Sequence, residues 1–206
     1  MILIGISPHL ARGTAQVAIL SQGLKHLKKH YDLLGIERSD VEDLEAGCRR
    51  IANNPGLRRQ KRLFSQERRP KKMIPAAPRM VIDVTETGPE PVAALRAEDL
   101  CVESIRIVPG GSWCRKDVGK ARGDDYQVPE TDLVRALLVV IDQGRLSLPA
   151  EPPLAEAVRS EIERVRSQGR FITSTESMEF PRTALSVALA VWFREIVPYK
   201  RAYRAI

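Results

Sequence analysis

The N-terminal part of the chain constrains the fold most strongly, because it contains three strand-like segments joined by short links. Met1–Ser7 and Thr14–Leu20 are runs of apolar, strand-forming residues separated by a turn that contains proline and glycine. Leu24–Ile36 supplies a third segment of the same kind. Short links between such segments favour an antiparallel meander.

The following part of the chain changes from consecutive strands to alternating helices and strands. The sequence "SDVE", Ser39 to Glu42, predicts a capping box that opens a helix ending near Ala52. We then expect a strand at Arg79–Val84, a helix from Glu90 to about Asp99, a strand at Val102–Val108 and a long loop at Pro109–Val128.

The C-terminal part is predicted to be mainly helical. A helix begins at Pro129 and ends at Gly144, and "RLSLP" forms a short strand after it. Further helices are expected at Leu154–Ser167 and Arg182–Ile196. A meander joined to parallel strands through crossover helices is the ribonuclease H-like α/β arrangement, a mixed central sheet flanked by helices. We expect this domain to span residues 1–196, with a basic loop at 57–78 and a basic tail at 197–206.

The positive charge of the chain is concentrated in one segment. Residues 58–72 carry eight basic side chains and one acid, so the net charge of this segment equals the +7 of the whole chain. Such a segment attracts a polyanion, usually nucleic acid, or stays solvated and mobile. The candidate nucleic-acid-binding residues are Arg58, Arg59, Lys61, Arg62, Arg68, Arg69, Lys71 and Lys72.

Composition favours a cytoplasmic protein without a membrane partner. The longest apolar run, Ala184–Phe193, is about half the roughly 20 residues that a membrane span requires. The three cysteines are odd in number and show no paired spacing, which suits a reducing compartment.

The stretch "MVIDVTETGPEP", Met80 to Pro91, places a carboxylate where a buried strand meets its loop. Two interpretations of Asp83 are open at this point. It could ligate a catalytic metal ion, or it could form a turn by accepting a hydrogen bond from Thr85 or a nearby amide.

Several motifs in one order resemble the C-terminal nuclease domain of phage terminase large subunits. The most extensive is "YQVPETDLVRALLVVIDQGRLSLP", Tyr126 to Pro149, followed by "PPLAEAVRSEIERV" and "ALSVALAVW". "VIDVTETG" and "IVPGG" resemble the ends of two strands of that family, and "LIGIS" resembles its opening strand. The resemblance covers most of the chain from Met80 to Trp192.

The resemblance implies a metal-dependent DNA endonuclease of genome packaging that uses Mg²⁺ or Mn²⁺, with phage packaging proteins as further partners. A Gly-rich phosphate loop ending in Gly-Lys-Ser/Thr is absent, so no ATPase activity is expected. Two-metal cleavage needs oxygen ligands that hold the ions roughly 3.5–4 Å apart. In the family, carboxylates on the first strand, on the fourth strand and before the last helix supply them.

Only one of these three positions is acidic in this chain. Asp83 matches the fourth-strand ligand and is the candidate catalytic and metal-binding residue. Ser7 stands at the first position, and Pro181 and Arg182 stand at the third, so the site is expected to be degenerate. The possible substitute ligands are Glu86, Glu90, Glu176 and Glu179.

Two functions follow from this pattern. The first is a terminase-nuclease-like domain of phage or prophage origin that binds DNA or serves a structural role after losing its catalytic acids. The alternative is an active Mg²⁺- or Mn²⁺-dependent endonuclease that uses Asp83 and relocated acids.

Overall fold

The computed structural model describes residues 1–25, 28–55, 57, 78–116, 123–149, 152–171 and 182–202. The basic segment 58–72 lies outside the described residues. So do the candidate ligands Glu176 and Glu179, and Pro181. Within the described part of the chain, no helix is long and apolar enough to cross a membrane.

The predicted meander is confirmed, with longer strands than expected. β1 (Ile2–His9) pairs antiparallel with β2 (Thr14–Lys25), and β2 pairs antiparallel with β3 (Lys28–Asp40). A single 3₁₀ turn at Leu10–Arg12 connects the first two strands.

The capping box predicted at Ser39 is wrong. Ser39 lies in β3, opposite Ala15 of β2, and its hydroxyl contacts the carbonyl oxygen of Asp40. Helix α1 begins only at Leu44 and ends at Asn53. Pairing with β2 therefore extends the strand through residues whose local preference is for a helix start.

The parallel half of the sheet continues from β1. β4 (Arg79–Asp83) lies parallel to β1, β5 (Val102–Val108) lies parallel to β4, and β7 (Asp125–Pro129) lies parallel to β5. β6 (Cys114–Lys116) pairs antiparallel with β7. The interpretation of Pro109–Val128 as one loop is therefore wrong.

The described residues form one sheet with the strand order β6-β7-β5-β4-β1-β2-β3-β8. Its last strand, β8 (Leu146–Ser147), is the short strand predicted in "RLSLP" and lies parallel to β3. An antiparallel meander thus joins parallel strands at β1. The prediction of a ribonuclease H-like α/β fold is confirmed.

Helices cover both faces of the sheet. α1 and α2 (Glu90–Ala97) pack with the even-numbered isoleucines of β1 in one hydrophobic core. A second core on the opposite face contains residues of α3 (Glu130–Asp142), α4 (Pro152–Gln168) and α5 (Thr183–Ala202). α5 continues to Ala202, beyond the predicted end at Ile196.

Gly5 sets the distance between β1 and α5. A Cβ atom at this position would lie 1.7 Å from the carbonyl oxygen of Ser186 in α5. The backbone of the helix therefore rests directly on the strand, and the residues at the start of α5 lie beside the carboxyl end of β1.

Candidate functional site

The predicted site residues of β1 and β4 lie side by side. Ile6 of β1 is in register with Ile82 of β4, so Ser7 and Asp83 are the next residues on two adjacent parallel strands. Ser7 is also opposite Gln16 of β2. Directly opposed residues of a sheet share a face, so Asp83, Ser7 and Gln16 form a row across three strands on the side covered by α5.

Asp83 forms a turn at the end of β4. Its Oδ1 atom accepts hydrogen bonds from the backbone N–H of Thr85 at 2.9 Å and from the Thr85 hydroxyl at 2.5 Å. The Thr85 Oγ1 atom in turn accepts the N–H of Ile107 at 2.8 Å. Asp83 is 4% exposed, and burial raises its pKa above the ordinary value, although Thr85 and Arg182 act in the opposite direction.

Arg182 immediately precedes α5 and binds the end of β1 and the loop that follows β4. Its Nη1 donates to the carbonyl oxygen of Pro8 at 2.7 Å, and its Nη2 donates to the carboxylate of Glu86. The other oxygen of Glu86 accepts the N–H of Leu10 at 3.0 Å. Burial alone would raise the pKa of Glu86, but the hydrogen bonds from Arg182 and Leu10 lower it below its ordinary value.

A carboxylate from α4 holds the first turn of α5. Glu161 is buried, and its Oε2 atom accepts the N–H of Ala184 at 2.9 Å. Burial raises the pKa of Glu161 to about 7, against hydrogen bonds from the backbone at the start of α5. Sequence reasoning missed this residue. The available signal is that Glu161 lies within the apolar stripe of α4 formed by Val158, Ile162 and Val165.

Several buried polar atoms at this end of the sheet have no hydrogen-bond partner among the described residues. They are Ser7 Oγ, His9 Nδ1, both amide atoms of Gln16, and Arg182 Nε. Burial, and then the nearby charge of Arg182, lowers the pKa of His9. His9 and Gln16 were not predicted as site residues, although each is a polar residue in a strand whose neighbours are apolar.

The described side chains do not fit a pair of catalytic metal ions. Two-metal sites are built from several carboxylates, whereas here Ser7 is neutral and Arg182 is positively charged. Glu86 is bound to Arg182, and Glu90 is exposed at the start of α2. No group of three or more His, Cys, Asp or Glu side chains among the described residues is arranged to hold a metal ion.

Comparison with known proteins found a match among solved structures. No family model matches the chain, and no curated protein matches it. The Mn-soaked nuclease domain of the human cytomegalovirus terminase is similar in structure, with a TM-score of 0.45 and 11% sequence identity. The similarity covers 95% of this chain and 84% of that domain. It concerns the fold and carries no inference about the site.

Proposed function

We propose that this chain is a terminase-nuclease-like domain of phage or prophage origin that binds DNA without cutting it. The observation that supports this proposal is the position of Arg182. A buried guanidinium lies against Glu86 where the resemblance calls for a metal-binding carboxylate. A positive charge at this position repels the divalent cations on which cleavage depends.

DNA is the proposed ligand because of the charge of the chain. The eight basic residues between Arg58 and Lys72 form a dense cationic segment, which suits the phosphate backbone of nucleic acid. Phe64 is the one aromatic residue in this segment, so base stacking contributes little and binding is sequence-tolerant.

The test of lost catalysis is a nicking assay with supercoiled plasmid and either Mg²⁺ or Mn²⁺. The purified protein should leave the plasmid intact, and Asp83→Ala should behave like the wild type. Cleavage by the wild type that disappears in Asp83→Ala would instead establish the alternative, an active endonuclease. Substitutions of Glu86, Glu90, Glu176 and Glu179 would then identify the relocated ligands.

The test of DNA binding is the salt dependence of affinity for duplex DNA. If about half of the eight basic residues contact phosphates, the slope of log K against log salt should be roughly −3 to −4. Neutralising Arg58, Arg59, Lys61 and Arg62 together should flatten this slope, whereas Asp83→Ala should not change it. Absence of binding at low salt would favour a structural role among packaging proteins.

A further inference from the structure

We propose that Arg182 is a built-in cation that connects the end of β1, the loop after β4 and the start of α5 in place of a bound metal ion. A metal ion in such a site would draw together groups from the first strand, the fourth strand and the last helix. The Arg182 guanidinium makes these connections itself. This inference rests on the proposed function, because it requires a site without a catalytic ion.

The contacts of Arg182 join segments that are distant in the sequence. The bond to Pro8 spans 174 residues, and the bond to Glu86 spans 96 residues. The Glu86 carboxylate also accepts a hydrogen bond from the backbone N–H of Leu10, in the turn after β1. One side chain therefore connects the end of β1 and the loop after β4 to the start of α5.

The charges around Arg182 require a cation. Glu86 and Asp83 are close enough that each carboxylate acts electrostatically on the site, and Arg182 counteracts both. The Arg182 side chain is 7% exposed and Asp83 is 4% exposed, so water screens these two groups poorly, whereas the Glu86 side chain is 33% exposed. Without the guanidinium, Asp83 and Glu86 would both lose the positive charge that Arg182 supplies.

The backbone of Arg182 indicates that its position is determined by the surrounding structure. Its φ of +65° lies in the left-handed region, which residues other than glycine rarely adopt. Such a conformation persists where surrounding contacts hold it. Its carbonyl oxygen accepts the N–H of Ser186, so the strained residue also begins the hydrogen bonding of α5.

The test is the divalent-cation dependence of thermal stability, which does not depend on activity. The Tm of the wild type should be the same in EDTA and in MnCl₂ or MgCl₂, within about 1 °C. Arg182→Gln should unfold at a lower temperature in EDTA, because the two carboxylates lose their cation. Mn²⁺ at about ten times its dissociation constant should then raise the Tm of this variant by about 3–6 °C.

Arg49→Gln is the matched control. Arg49 also lies between two carboxylates, with contacts of 2.6 Å to Glu98 and 3.3 Å to Glu45, but its side chain is 41% exposed. Neither Glu45 nor Glu98 is buried as Asp83 is, so solvent screens both carboxylates and the Tm of this variant should not respond to Mn²⁺. NaCl at matched ionic strength separates specific binding from screening in both variants.

Two further variants decide the outcome. Arg182→Lys keeps the charge, so its Tm should not respond to Mn²⁺, whereas adding Glu86→Gln to Arg182→Gln should abolish the response by removing one carboxylate.

If Arg182→Gln does not fold in EDTA, the proposal requires that Mn²⁺ restore folding. A variant that Mn²⁺ neither stabilises nor restores overturns the proposal. Plasmid cleavage by the wild type would instead overturn the proposed function, so the two failures are distinguishable.

Discussion

The two faces of strand β1 differ in how completely the structure satisfies their side chains. Ile2, Ile4 and Ile6 point into the core beneath α1 and α2, where they pack among apolar residues. On the face beneath α5, Leu3 is followed by Gly5 and then by the polar residues Ser7 and His9. Ser7 Oγ and His9 Nδ1 are buried and have no hydrogen-bond partner among the described residues.

The apolar side chains of one face stabilise the fold, whereas the buried polar side chains of the other face are not explained by folding alone. An apolar face contributes stability roughly in proportion to the area that it buries. A buried polar atom without a partner costs stability, so it is retained in native proteins for another reason or contacts a water molecule. The α5 face of β1 therefore has the composition of a candidate site, and the other face has the composition of a core.

The largest loss of stability should come from adding one carbon atom to the face of β1 that packs against α5. Gly5→Ala places a Cβ atom 1.7 Å from the carbonyl oxygen of Ser186, which forces the helix away from the strand. We expect a loss of more than about 3 kcal/mol in the free energy of unfolding, measured with urea.

Gly35→Ala is its control, because a Cβ atom there meets nothing within 4 Å. This substitution should be neutral or slightly stabilising in a strand. Equal effects of the two substitutions would show that α5 does not rest on β1 as described.

A pH-dependent effect should come from the carboxylate that holds α5. The pKa of Glu161 is about 7 in the folded protein, above the ordinary value of 4.5, so the folded state binds more protons than the unfolded state between these values. Stability should therefore fall as the pH rises through this window, by up to about 1.4 kcal/mol per pH unit from this group. Glu161→Gln should remove that slope in urea unfolding curves, whereas Glu156→Gln, at an exposed position of α4, should retain it.

A smaller loss should come from removing one carbon from the apolar face. Ile4→Val leaves a small cavity in a fully buried position, which costs about 0.5–1.5 kcal/mol. The same assay with urea measures it. A cost as large as that of Gly5→Ala would contradict the asymmetry between the two faces.

The smallest effect should come from Ser7→Ala. The hydroxyl has no partner among the described residues, so its loss should change the free energy of unfolding by less than about 0.5 kcal/mol. Thr85→Val should cost about 1 kcal/mol, because the Thr85 hydroxyl bonds both Asp83 and Ile107. A substantial cost for Ser7→Ala would indicate a hydrogen bond to buried water.

The sequence was sufficient for the order of the main elements but not for those that depend on distant pairing. The apolar runs of β1, β2, β4 and β5 are long enough to be identified locally. β7 was not predicted because it is short and follows charged residues. The alternation of its buried residues Tyr126 and Val128 is nevertheless typical of a strand. The end of β3 is polar and extended only because β2 pairs with it.

The site residues could be predicted only at the positions that align with motifs of the family that the chain resembles. The resemblance brought Ser7, Asp83 and Arg182 together, and the structure places them at one end of the sheet. The hydrogen-bond partners of Arg182 could not be inferred from the sequence, because Pro8 contributes a backbone carbonyl oxygen and Glu86 was interpreted as a possible metal ligand. The metal-binding and nucleic-acid-binding roles remain predictions.

The long sequence separation between Arg182 and Pro8 has a consequence for the order of folding. The β1–β2 hairpin closes over a short turn, whereas the bond from Arg182 to Pro8 closes a loop of 174 residues. Closing a longer loop costs more conformational entropy, and non-local contacts form more slowly than local ones. We therefore expect the meander to form before α5 docks and brings Arg182 to Asp83 and Glu86. Until then, Asp83 and Glu86 lie at the carboxyl end of the central strands without the guanidinium of Arg182.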